Sequence, residues 1–126
     1  MMTDIEAREF DRWEVSPDGD KVRMTVVGAD GALTAVVLPA DALTGLVMTL
    51  PTIVERALRR SHRDPSIKLV YPLAGWTVEQ AAGGDKLIVT LETPDGFKVS
   101  FAASPEDLNG LGSTSLADIK RPAQFN

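Results

Sequence analysis

Gly19–Gly31 reads GDKVRMTVVGADG, and Gly84–Gly96 reads GDKLIVTLETPDG. The two stretches share their first three residues, a mid-strand threonine (Thr25, Thr90) and a closing Asp-Gly (Asp30-Gly31, Asp95-Gly96). Each begins at a turn, alternates apolar side chains with a period of two, and ends at a second turn. That is the pattern of a half-buried strand inside a meander. Val22, Met24 and Val26 share one face, as do Leu87, Val89 and Leu91.

The correspondence continues in both directions. Leu43, Gly45, Leu46 and Thr49 match Leu108, Gly110, Leu111 and Thr114, all at the 65-position spacing of Gly19 to Gly84. Upstream, Trp13-Glu14-Val15 recurs as Trp76-Thr77-Val78 at a spacing of 63 (Trp13 to Trp76), which places two extra residues in the turn Ala81 to Gly84. An internal repeat of this kind sets the fold before anything else. The expectation is an α+β protein, a tandem βββα repeat with antiparallel sheets packed against helices and a pseudo-two-fold between the copies. Residues 1–126 would form a single domain made of two repeats, about 1–65 and 66–126.

Within copy one, strands are expected around Trp13, over Lys21–Val27 and over Leu33–Leu38. The helix begins near Pro39, with Asp41 at its positive end. Leu43, Leu46, Val47, Leu50, Val54, Ala57 and Leu58 make its apolar stripe. Pro51 removes one helical bond and crowds the preceding turn. A kink is expected there, or a new helix started by the capping-box spacing of Thr52 and Glu55. In copy two, strands are expected over Lys86–Glu92 and Phe97–Ala102. Ser104-Pro105-Glu106-Asp107 starts a short helix. A short turn around Leu116–Ile119 and a frayed tail from Pro122 complete the chain.

Bulk properties exclude several function classes. The 126-residue chain has no cysteine, so disulfides and thiolate chemistry are ruled out. A net charge of −5 disfavours nucleic acid and anionic membranes as partners. No apolar run is long enough to span a bilayer, and the acidic N-terminus does not resemble a signal peptide, so a cytoplasmic location is expected. No cofactor is implied: the Gly-rich spots lack the lysine and the strand-to-helix setting of a phosphate loop.

Three groups of residues are candidate sites. Arg56, Arg59, Arg60, His62 and Arg63 crowd one helix end and suit an anion, although cations there also complement the helix dipole. His62 with Ser61 and Asp64 does not make a catalytic triad, because close neighbours in one segment rarely meet correctly. With no second histidine it does not make a metal site either. Trp13 and Trp76 occupy matched positions and are candidates to flank a groove. Val27, Leu33 and Val37 form an apolar outer face in copy one, where copy two has Glu92, Lys98 and Ala102. That contrast points to an interface with a second copy of the chain or with another protein.

In element order alone, the repeated unit is similar to the Whirly and PUR single-stranded nucleic-acid-binding proteins and to coactivators of related sheet-plus-helix design. Their units usually have four strands, and no motif residues of those families occur here. The resemblance implies single-stranded nucleic-acid binding and carries no functional residues over; from the chain's own residues, the arginine cluster and the two tryptophans are the candidates for that role. A non-enzymatic, self-associating interaction module is the preferred expectation. A small-ligand binder or enzyme with its site between the repeats is the third reading.

Overall fold

The first hairpin closes with Ser16 N–H donating to Lys21 O at 2.9 Å and Gly19 N–H donating to Ser16 O at 2.9 Å. Gly19 takes φ +75°, a conformation that costs a glycine little. The Ser16 hydroxyl and the Asp20 amide both bond the Asp18 carboxylate, which completes the turn. The hairpin joins strand β1 (Ala7–Val15) to β2 (Lys21–Gly28), and a second hairpin leads to β3 (Leu33–Pro39). The order is β1-β2-β3, antiparallel throughout. A helix, α1 (Ala40–His62), follows directly. After it, β4 (Gly75–Gln80), β5 (Leu87–Glu92) and β6 (Lys98–Ala103) form a second antiparallel sheet in the order β4-β5-β6. The helix α2 (Pro105–Gly112) and a 3-10 turn over Leu116–Asp118 come last.

The computed structural model describes residues 1–119, so the tail expected from Pro122 lies outside the described residues. The chain divides into two compact units, Met1–Leu69 and Val70–Asn126. Each is a three-stranded antiparallel sheet followed by a helix, and the architecture is α+β with a βββα order in each unit.

The loops of the two units match bond for bond. Ala81 N–H donates to Lys86 O and Gly84 N–H to Ala81 O, as Ser16 and Gly19 do in the first unit. Gly28–Ala32 and Gly31–Gly28 bonds recur as Thr93–Phe97 and Gly96–Thr93. Gly31 and Gly96 both have positive φ, at 83° and 91°. The first turns therefore have the same length, and the two extra residues expected at Ala81 to Gly84 are not an insertion there. The difference is taken up in the strand itself. Trp13 pairs with Met24, whereas Trp76 pairs with Leu91, the counterpart of Val26. The tryptophans are thus one side-chain period apart on their ladders rather than at matched rungs. A two-residue displacement keeps both on the same face of their sheets. Register shifts in β1, between Ala7 and Glu9 and between Phe10 and Arg12, mark where that strand departs from regularity.

Of the two expectations at Pro51, a kink or a new helix, the second is not met in α1. It runs through Pro51 as one 23-residue helix, and no new helix starts at Thr52. One proline forfeits one backbone bond, and the long flanking segments on either side keep the rest. Glu55, freed from a capping role, is used elsewhere. The helix ends with Arg63 at φ 52° and with Asp64 N–H donating to Arg59 O, a left-handed cap. In the second unit the Ser104 side chain accepts from Asp107 N–H at 3.1 Å and the Asp107 carboxylate accepts from Ser104 N–H at 3.1 Å. This reciprocal capping box starts α2 where the sequence pattern places it.

Candidate functional site

Pairing assigns every strand residue to a face. In the first unit Phe10, Trp13 and Val15 lie with Val22, Met24 and Val26 and with Thr34, Val36 and Leu38. The opposite face carries Glu9, Arg12 and Glu14, then Arg23, Thr25 and Val27, then Leu33, Ala35 and Val37. The first face is almost entirely apolar, and the second mixes charge on β1 with apolar side chains on β3. In the second unit Trp76 and Val78 share a face with Leu87, Val89 and Leu91 and with Val99 and Phe101.

Within each unit these apolar faces are not closed. Among the described residues no apolar side chain is fully buried; the buried residues are Thr25 and Thr93. Trp13 is 64% exposed and Trp76 68% exposed. The helix α1 has a strong apolar stripe, yet Val47, Met48, Leu50, Ile53 and Val54 are exposed, and only Leu43, Leu46 and Leu58 of the stripe are half-buried. In the second unit α2 is eight residues long, about 12 Å. That is too short to roof three strands of six residues each. Tyr71 makes the local aromatic contact there, its ring 5.3 Å from Phe97.

The predicted interface residues are brought together. Val27 and Leu33 pair directly across β2 and β3, and Val37 lies on the same face opposite Arg23. Val27 is half-buried, while Leu33 and Val37 are 57% and 50% exposed.

The arginine cluster is only partly available. The Arg59 Nη2 donates to Glu55 Oε1 at 2.8 Å and its Nε donates to Ile67 O at 2.8 Å. The other oxygen of Glu55 accepts from Leu69 N–H at 2.9 Å. Glu55 and Arg59 thus form a clasp that fastens the chain after the helix back onto it. Arg56 and Arg60, one turn apart, line two shallow hollows: one with Thr49, Thr52, Ile53 and Ala57, the other with Arg59, Arg63, Asp64 and Pro65. His62 places Nδ1 3.0 Å from Leu58 O and 3.1 Å from Ser61 Oγ, so that nitrogen is taken up within its own helix. Asp64 accepts from both the amide and the hydroxyl of Ser66, which hold its carboxyl below the usual carboxylate value. The Ser-His-Asp grouping therefore has no catalytic geometry. Among the described residues no three histidine, aspartate or glutamate side chains gather to hold a metal, and no helix is long and apolar enough to cross a membrane.

Sequence reasoning placed the arginines but missed the clasp. Its signal was the Glu55-Arg59 spacing of i, i+4. The open apolar faces were also missed, because periodicity says which side of a strand is apolar and not whether anything covers it. No family model, curated protein or solved structure matches this chain.

Proposed function

We propose that this chain is a non-enzymatic interaction module that works by self-association. The observation that carries the reading is the open apolar face of the first unit, with Phe10, Trp13, Val15 and Val36 all exposed. A contiguous apolar patch beyond a few hundred Å² marks an interaction site in soluble proteins. Further support comes from what is missing around the polar groups: the hollows on α1 are open and shallow, and His62 and Asp64 are engaged locally. We also read the two units as a tandem duplication, on the strength of shared residues and of loop bonds recurring at one spacing.

Sedimentation equilibrium over a wide concentration range tests the reading. The expected mass is that of a dimer or larger assembly. A monomer at every concentration refutes it.

The single-stranded nucleic-acid reading draws support from Arg56, Arg60 and Arg63 at this helix end, since Arg59 is committed to Glu55. It ranks below self-association for that reason.

A further inference from the structure

A three-stranded sheet has two free edges, and in the first unit they are built very differently. β1 carries Arg8, Glu9, Asp11, Arg12 and Glu14 and is broken by two register shifts. Charge and bulges are the usual protection of an edge. β3 reads LTAVVLP, with no charge and an unbroken register against β2 from Leu33 to Pro39. The equivalent edge of the second unit, β6, reads KVSFAA and is protected by Lys98. An uncharged, regular, apolar edge is a surface on which another strand pairs.

The direction of its backbone groups follows from the printed bonds. Gly28 N–H donates to Ala32 O at 2.8 Å, and Ser16 N–H donates to Lys21 O on the other side of β2. Alternation along an antiparallel ladder then turns Thr34, Val36 and Leu38 toward β2 and leaves the amides and carbonyls of Leu33, Ala35 and Val37 pointing outward.

We infer that β3 pairs antiparallel with β3 of a second copy, joining two first units into one six-stranded sheet across a two-fold axis at Ala35. This rests on the self-association reading and gives it a geometry. The strand matches itself. With Ala35 opposite Ala35, Leu33 falls opposite Val37, and every outward amide and carbonyl of these three residues finds a partner. The small alanine sits at the centre, where the two chains approach on the axis. No charge opposes a like charge, because β3 has none. Thr34 and Val36 meet on the other side, so the apolar face of Trp13 and Met24 continues from one copy into the next.

Pairing sets Leu33 and Val37, 57% and 50% exposed, against Val37 and Leu33 of the second copy. A stable interface buries about 800 Å² per partner. The strand edge alone is smaller than that, so the dimer also draws on exposed apolar surface beside the edge.

The test combines solution mass with amide exchange on the full chain. In the wild type the expected result is a dimer, with amides of Leu33, Ala35 and Val37 slowed about tenfold or more relative to Lys98, Ser100 and Ala102. Ala35→Pro blocks the edge without removing a bond to β2, since that amide points outward. A second variant, Leu33→Lys with Ala35→Ser, installs the second unit's own edge residues and keeps the ladder whole. Both are expected to be folded monomers by circular dichroism and sedimentation. If the wild type associates and the folded lysine variant associates equally well, the β3 pairing is overturned while self-association stands. Fast exchange at all three edge amides in an associated wild type overturns it as well, whether the true partner surface is another face or a different protein. A wild type that stays monomeric overturns both readings.

Discussion

Replacing Glu55 by alanine should release the chain that follows α1. One carboxylate oxygen of Glu55 accepts from Arg59 and the other from the Leu69 amide, at 2.8 and 2.9 Å. A hydrogen bond to a charged group contributes about 1.5–3 kcal/mol when well shielded. Here the Arg59 and Glu55 side chains are 39% and 29% exposed, so the ion-pair share is screened toward the surface value of about 1 kcal/mol or less. The Leu69 bond adds the larger part, because its amide loses its partner outright. Together the opening free energy of the segment should fall by about 2 kcal/mol, which speeds Leu69 amide exchange roughly 30-fold. Hydrogen exchange followed by NMR reads this directly. Strand amides of β2 should be unaffected, since the clasp lies at the far end of the helix. Glu55→Gln should fall between, with one acceptor oxygen kept. If Leu69 exchange in Glu55→Ala changes less than about threefold, the clasp does not hold the segment; an equal acceleration at every amide would show general destabilisation instead.

Pro51→Ala should raise thermal stability, by up to about 3 kcal/mol, because the helix already runs through this position without the missing bond; calorimetry measures it, and a loss of stability would mean the proline shapes the helix usefully. Ser104→Ala should cost about 1 kcal/mol and fray α2, read as lost helical signal and faster exchange at Asp107. The carboxyls of Asp18, Asp95 and Asp107 are each held below the usual 3.8, foremost by the Ser16 hydroxyl, the Thr93 hydroxyl and the Ser104 amide respectively. A folded value below the unfolded one adds stability above pH 3.8 that disappears as pH falls through the lower folded value, so NMR titration should find all three more than half ionised where free aspartate is half protonated.

Much of the fold is legible in the sequence because turns and strand alternation are local. Asp30-Gly31 and Asp95-Gly96 require positive φ at glycine, and that alone places two hairpins. Ser104-Pro105 with Asp107 likewise places the start of α2. The misread features depend on non-local competition. Aligning Trp13 with Trp76 by identity puts two residues into a turn, whereas the turn's hydrogen bonds are the same in both units and the strand absorbs the offset instead. Pro51 reads as a kink or a restart, and no restart occurs, because the helix on either side is long enough to carry one missing bond. Arg59 looks like part of an anion site until the segment from Ile67 to Leu69 folds back to meet it and Glu55. Strand alternation also places Val27, Leu33 and Val37 on one face, as the pairing shows, and they differ in character from their counterparts Glu92, Lys98 and Ala102.

That difference has a physical logic when the two units are set side by side. They share strands and loops, so one sequence pattern suffices to build both sheets. They diverge where a sheet meets its surroundings: β3 lacks the lysine that β6 carries, and α1 has 23 residues where α2 has eight. A lone sheet edge with no charge is a liability in a monomer, because unpaired amides on a flat apolar strand recruit other chains indiscriminately. The same edge is useful if its own copy occupies it, since pairing about Ala35 uses up the outward groups of Leu33, Ala35 and Val37 and leaves as free edges only the two charged, irregular β1 strands. An uncharged β3 beside a long, exposed, apolar α1 is consistent with a unit shaped for closure by its own kind. The second unit, with Lys98 on its edge and only a short helix, has the protection of a surface not meant to pair through that strand.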